Sequence, residues 1–110
     1  MYEVIKTLEI SAAHKLSLPY ESKCTSLHGH NWHITVFLRS EKLNDAGMIM
    51  DFTEIKRKIS DRLDHKNLNE VLDFNPTAEN MARYICEELA PCCYRVEVEE
   101  SENNKAVYYV

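Results

Sequence analysis

The stretch His28-Gly29-His30-Asn31-Trp32-His33-Ile34-Thr35-Val36-Phe37-Leu38 decides the architecture, because polarity alternates along its second half. Trp32, Ile34, Val36 and Leu38 take the even positions, while His33, Thr35 and Arg39 interrupt the other face. A period of two marks a half-buried strand, here over 32–38. If the extended backbone reaches back to His28, the imidazoles of His28 and His30 project from one face, about 7 Å apart at the backbone. That spacing suits a shared metal. Neutral imidazole binds zinc at about 2.0–2.1 Å, and three protein ligands plus water or substrate make a catalytic site. Two histidines near a strand are equally often surface residues, so the motif alone leaves both readings level. Gly29 permits a tight approach or a bulge, and a bulge would move side chains between faces. His33 has the opposite parity to His30 and is expected at the surface.

Upstream, residues 2–10 are rich in β-branched and apolar types, which predicts a first strand ending before Ser11-Ala12-Ala13-His14. His14 reaches the start of the second strand if the two pair antiparallel, and would then be the third ligand. The loop from about 15 to 27 contains Pro19 and several polar residues and carries Cys24. Cys24 lies four residues before His28 and is read either as a zinc ligand or as a base. A thiolate beside zinc has a lowered pKa and can take a proton. A buried structural thiol fits less well beside Lys23, Thr25 and Ser26.

Downstream, Asn44-Asp45-Ala46-Gly47 predicts a turn into Met48-Ile49-Met50. Asp51 with Glu54 resembles a capping box, and Phe52, Ile55, Ile59 and Leu63 form one stripe, so 52–63 is expected to be helical. Asp64-His65 follows it as a polar pair that relays protons if it projects into a cleft and is merely solvated if it does not. Pro76-Thr77 starts a second helix with Met81, Ala82, Ile85 and Leu89 at helical spacing, and Pro91 ends it. Tyr94, Val96 and Val98 alternate with charged residues in a third strand, and 106–110 reads as a fourth. The order ββααββ predicts an α+β domain spanning 1–110. Glu100 continues the Tyr94-Val96-Val98 face, where a buried carboxylate would need partners. If the strand instead ends at Glu99, Glu100 is solvated, and parity leaves the two readings even.

Composition bounds the function. Of 110 residues, 45% are hydrophobic and 28% charged, a globular balance with room for one core. The net charge of −5, from 13 Lys plus Arg against 18 Asp plus Glu, offers no general field for nucleic acid or anionic lipid. Lys15 and Lys23 could still meet a small anion locally. The segment Met1-Tyr2-Glu3-Val4-Ile5-Lys6 lacks the features of a signal peptide, and no stretch is apolar enough to span a bilayer. A soluble, cytoplasmic protein is expected. Cys24, Cys86, Cys92 and Cys93 form no CxxC pair and no regular disulfide spacing, which suits a reducing compartment. Cys86, within a helical pattern, reads as a buried free thiol.

The ordered blocks Ser11-Ala12-Ala13-His14, Cys24-x-x-x-His28-Gly29-His30-Asn31, Gly47-Met48-Ile49-Met50-Asp51-Phe52, Asp64-His65-x-x-Leu68-Asn69, Pro76-Thr77-Ala78-Glu79-Asn80 and Glu100-Ser101 span nearly the whole chain. Together they resemble the 6-pyruvoyltetrahydropterin synthase family, in particular its 6-carboxytetrahydropterin synthase branch in queuosine biosynthesis. The resemblance implies a tunnelling fold, with a four-stranded antiparallel sheet carrying two helices on one face and subunits joining their sheets into a barrel. It also implies a homohexamer built from two trimers, with active sites at subunit interfaces.

By the same resemblance, His14, His28 and His30 would hold Zn2+, Cys24 would abstract a proton, and Asp64 with His65 would relay protons. Glu100 would anchor a pterin, since its two oxygens can accept from a ring N–H and an exocyclic amine. Thr77 sits where the family contacts the pterin, although helix capping explains it equally well. The implied substrate is 7,8-dihydroneopterin triphosphate, and the implied product is 6-carboxy-5,6,7,8-tetrahydropterin with release of acetaldehyde and triphosphate. The three-residue gap between Cys24 and His28 resembles the carboxy-forming type. The alternatives are a pyruvoyl-forming or dihydroneopterin aldolase-like activity on the same scaffold, or a noncatalytic zinc or pterin-binding module. Trp32-His33 departs from the family pattern of an aromatic such as tyrosine followed by an apolar residue.

Overall fold

The computed structural model describes all residues 1–110. Its framework is an antiparallel pair of 13-residue strands, β1 (Tyr2–His14) and β2 (His28–Ser40). At about 3.3 Å per residue such strands are about 43 Å long, which explains a molecule measuring 51 × 25 × 23 Å. Helix α1 (Phe52–Leu63) follows, then a two-residue strand β3 (Lys66–Asn67) and a single helical turn α2 (Leu68–Val71). Helix α3 (Ala78–Glu88) leads into β4 (Cys93–Ser101) and β5 (Asn104–Tyr109). The sheet order is β3-β1-β2-β4-β5.

The four long strands pair antiparallel, but the sheet has five strands rather than four and is mixed, because β3 runs parallel to β1 at Ala12 and Ala13. The helical turn α2 is likewise additional to the two helices that the sequence pattern predicts. Both short elements lie in the connection after α1, where a run this brief leaves no periodic signal.

Both framework strands are longer than their hydrophobic pattern predicts. β1 runs on through Ser11-Ala12-Ala13-His14, and β2 starts at His28 instead of Trp32, because the ladder continues unbroken from Tyr2↔Ser40 to His14↔His28. Ser11 is further held by Asp64, whose Oδ1 accepts its N–H at 2.8 Å. Pairing from both sides overrides the weak strand preference of Ser and Ala.

One face of the sheet is apolar and carries the helices. Leu8, Ile10 and Ala12 of β1, Trp32, Ile34, Val36 and Leu38 of β2, and Val96 and Val98 of β4 join Ile55, Ile59, Leu63, Met81 and Ile85 in one core of 20 buried residues. The predicted helix stripes hold at these positions, except that Phe52, at the first turn, remains exposed. Asp51 caps α1 through Oδ1 to the Thr53 N–H at 2.8 Å, while Glu54 turns to Lys58 at 3.8 Å. At the start of β4 the register shifts between Phe37 and Leu38. Cys93 rather than Tyr94 therefore enters the core, and the Tyr94 ring lies instead 6.3 Å from Phe37 under Arg39. The bulge adds one residue and moves Tyr94 off the apolar row.

Candidate metal centre

The long ladder places His14 directly opposite His28, with His30 two residues further along the same face of β2. The ring centroids are 4.6 Å apart for His14 and His28, 5.2 Å for His14 and His30, and 4.8 Å for His28 and His30. Glu100 arrives from β4. Continuing the Ile34–Val98 and His33–Glu99 pairs by one step sets it beside Trp32 on the inner face. The strand does continue to Ser101, and although its pairing with β5 shifts register between Glu99 and Ser101, the Glu100 side chain still faces the histidines. Its Oε1 lies 2.8 Å from His30 Nε2 and 3.5 Å from His14 Nε2.

Each of these four side chains offers a ligand atom, and those atoms all lie within 4.8 Å of one another. Two imidazoles are tied from behind: His14 Nδ1 donates to Pro76 O at 2.8 Å and His28 Nδ1 to Ser26 O at 2.7 Å. A carbonyl on Nδ1 fixes the tautomer with a free lone pair on Nε2, the arrangement typical of metal-bound histidine. His14 Nε2 and His30 Nε2 are buried without a hydrogen-bond partner, the Glu100 approach not being aligned as one. Buried polar atoms normally find partners. A divalent ion satisfies both, so the donor set fits a metal. Burial also lowers the His14 pKa below that of an ordinary imidazole, which favours the neutral form that ligation requires.

Trp32 forms the floor. It is fully buried, its ring centroid is 4.8 Å from His14 and 5.6 Å from His30, and its Nε1 donates to Ala12 O at 3.2 Å. His33, by contrast, is half exposed on the helix-free face, 3.7 Å from Glu9 and 3.9 Å from Glu99.

The remaining sequence-derived site residues are not among the four converging ligand groups. Cys24 is half-buried in a 3-10 turn (Lys23–Thr25), and its sulfur is not among the converging atoms. Asp64 ends α1 and braces Ser11. His65 is 82% exposed, adopts a left-handed φ of 59° and donates its N–H to Ser11 O at 2.7 Å. Such a backbone costs energy in a non-glycine residue, and it turns the chain from α1 into β3. The His65 ring lies 3.6 Å from Asp64 Oδ2 and borders a cavity of about 530 Å³ shared with Ser11, Asn31 and Lys66. Thr77 caps α3, its hydroxyl accepting the Asn80 N–H at 3.1 Å. The carbonyls of Pro76 and Ser26 are the site groups that sequence reasoning missed. A backbone carbonyl leaves no residue-type signal.

The family model described as 6-pyruvoyl tetrahydropterin synthase matches residues 3–110. A 6-carboxy-5,6,7,8-tetrahydropterin synthase of a Synechocystis species is 34% identical over 122 residues, covering 99% of this chain and 94% of the relative. A 6-pyruvoyl tetrahydrobiopterin synthase of Dictyostelium discoideum is 39% identical over 98 residues, covering 78% and 73%. The structure of Caenorhabditis elegans 6-pyruvoyl tetrahydropterin synthase superposes with a TM-score of 0.77 at 30% identity, over 99% of this chain and 95% of that one.

Proposed function

The chain belongs to the 6-pyruvoyl tetrahydropterin synthase family, and from that premise we propose that it is a zinc-dependent lyase converting 7,8-dihydroneopterin triphosphate to 6-carboxy-5,6,7,8-tetrahydropterin, with release of acetaldehyde and triphosphate, in queuosine biosynthesis. The observation that carries this reading is the convergence of His14, His28 and His30 with two partnerless buried Nε2 atoms. These three residues would hold the ion, which when bound supplies Lewis acidity to the substrate side-chain oxygens and so acidifies adjacent C–H bonds.

The chain's own residues do the rest. Trp32 walls off one side of the histidines, which keeps water from that side. Glu100 accepts from the pterin N–H groups and sets the ring's orientation, an assignment supported by its position at the rim with 22% of its side chain exposed. Cys24 takes the proton, and Asp64 with His65 passes protons to and from the side chain. Thr77 contacts the pterin from the start of α3.

In this reading Cys24, Asp64 and His65 are not ligands, and the site is completed at subunit interfaces in a homohexamer of two trimers. Two features support assembly: Ile5 and Tyr109 are 56% and 60% exposed, and β5 is the terminal strand of the sheet. Association of sheets into a barrel would pair such edges.

The match to the Dictyostelium 6-pyruvoyl tetrahydrobiopterin synthase favours a second reading, a pyruvoyl-forming activity on the same scaffold. Incubating zinc-loaded protein with dihydroneopterin triphosphate separates the two. Acetaldehyde and a carboxylated pterin are expected; a product that keeps its three-carbon side chain overturns the carboxy-forming assignment, and no turnover leaves a binding module.

A further inference from the structure

Lys15, Leu16 and Ser17 continue beyond the end of β1, and two asparagine side chains take the place of a neighbouring strand. Asn69, on α2, accepts the Lys15 N–H at 2.8 Å and donates Nδ2 to Lys15 O at 3.0 Å. Asn75 repeats the arrangement two residues on, accepting the Ser17 N–H at 2.9 Å and donating to Ser17 O at 3.1 Å. A carboxamide carries one acceptor and an amine donor, so each side chain mimics a peptide group of a paired strand. Both are anchored in turn: the Asn69 N–H is held by Asn67 Oδ1 at 3.1 Å, and Asn75 O by Asn80 Nδ2 at 2.9 Å.

The residue between the two clamped ones, Leu16, donates its N–H to Cys24 O at 2.7 Å. From its other side the Cys24 peptide is held by Ser22 Oγ, which accepts the Cys24 N–H at 2.9 Å. Position is thus handed from α2 and the Asn75 segment, through Lys15 and Ser17, to Leu16 and on to Cys24. Lys15 and Ser17 are exposed, so water would satisfy their backbone groups nearly as well, and four such bonds add little net stability. What they supply is fixed geometry. We propose that Asn69 and Asn75 are positioning residues that fix the place from which Cys24 presents its thiol in the assembled site, by clamping Lys15 and Ser17. This rests on the reading of Cys24 as the proton-abstracting group.

The test uses the zinc-loaded full chain with Asn69→Ala, Asn75→Ala and the double variant, and Cys24→Ala as control. Zinc content, kcat and KM are measured, together with the pH profile of the iodoacetamide alkylation rate at Cys24, with half-buried Cys92 as internal reference. The double variant is expected to keep its zinc and its KM while kcat falls about 10²-fold, the loss typical of a misplaced reacting group. The rate of Cys24 alkylation should change while that of Cys92 stays put. An unchanged kcat and Cys24 alkylation rate, or a loss of kcat that tracks loss of zinc, overturns the proposal. If the double variant does not fold, each single variant keeps one clamp and carries the same comparison. Full turnover in Cys24→Ala would sink the base assignment instead, and the clamps would then stand or fall on the Cys24 alkylation rate alone.

Discussion

His14 and His28 face each other across the β1–β2 ladder with their ring centroids 4.6 Å apart, each tied by Nδ1 to a carbonyl outside the strands. Two imidazoles held edge to face with both Nε2 atoms turned inward make a chelating pair before any ion arrives. His14→Ala should therefore lose bound zinc while keeping its circular dichroism. Metal analysis showing full occupancy in that variant would refute the ligand set.

Glu100 touches two of the histidines, so its role as pterin anchor competes with a role as ligand. Glu100→Gln keeps the shape but loses the charge. Zinc is expected to remain while KM rises roughly 10- to 100-fold, the equivalent of about 1.5–3 kcal/mol for a hydrogen bond to a charged group. Loss of zinc with unchanged KM in the remaining holoprotein would make Glu100 a ligand instead.

If the site is completed between copies, Cys24→Ala and His65→Ala chains, each inactive alone, should complement when unfolded and reassembled together. Random pairing restores roughly a quarter of the sites at an interface built from two copies. No recovery would place both residues' work within one chain.

Trp32 is fully buried between the histidines and the core, with its N–H bonded to Ala12 O. Trp32→Ala should cost about 3–5 kcal/mol in urea unfolding through the cavity it opens. Trp32→Phe keeps most of the volume and forfeits the hydrogen bond, for about 1 kcal/mol. Equal losses in the two variants would show that packing is not what the ring contributes.

Burial pushes the Cys86 thiol from 9.0 up to about 12, and Cys93 beside it is also raised. Unfolding therefore releases protons above pH 9, where the unfolded thiols ionise and the folded ones do not. Stability should fall between pH 9 and 12 by on the order of 1 kcal/mol per pH unit through Cys86, with Cys93 acting in the same direction. Urea midpoints at pH 8 and pH 10.5 measure the slope, and Cys86→Ala should flatten it. A slope unchanged by that substitution would assign the loss to other groups.

Much of the site was legible because its signals are local. The His28-Gly29-His30 spacing, the Trp32 to Leu38 alternation and the Val96-Val98 parity each survive folding, since strand geometry alone puts alternate side chains on one face, and Glu100 keeps that side across a register shift between Glu99 and Ser101. Tyr94 shows the limit. It has the same parity as Val96, yet a one-residue bulge sends it to the other side, and nothing in Cys93-Tyr94-Arg95 announces a bulge. β3 was illegible for a different reason, because two residues are a strand only by virtue of the neighbour they meet.

By itself, the sequence determined which residue types are available for chemistry and which face of each long element they share, because periodicity and side-chain donors belong to the chain. The meeting of His14 with His28 and His30 was expected on condition that β1 and β2 pair antiparallel; tertiary structure alone decided the orientation of two imidazoles by Pro76 and Ser26 and the pinning of Lys15 and Ser17 by Asn69 and Asn75. Those relationships depend on backbone carbonyls and on contacts across as many as 62 residues. Neither leaves a mark in the order of side chains.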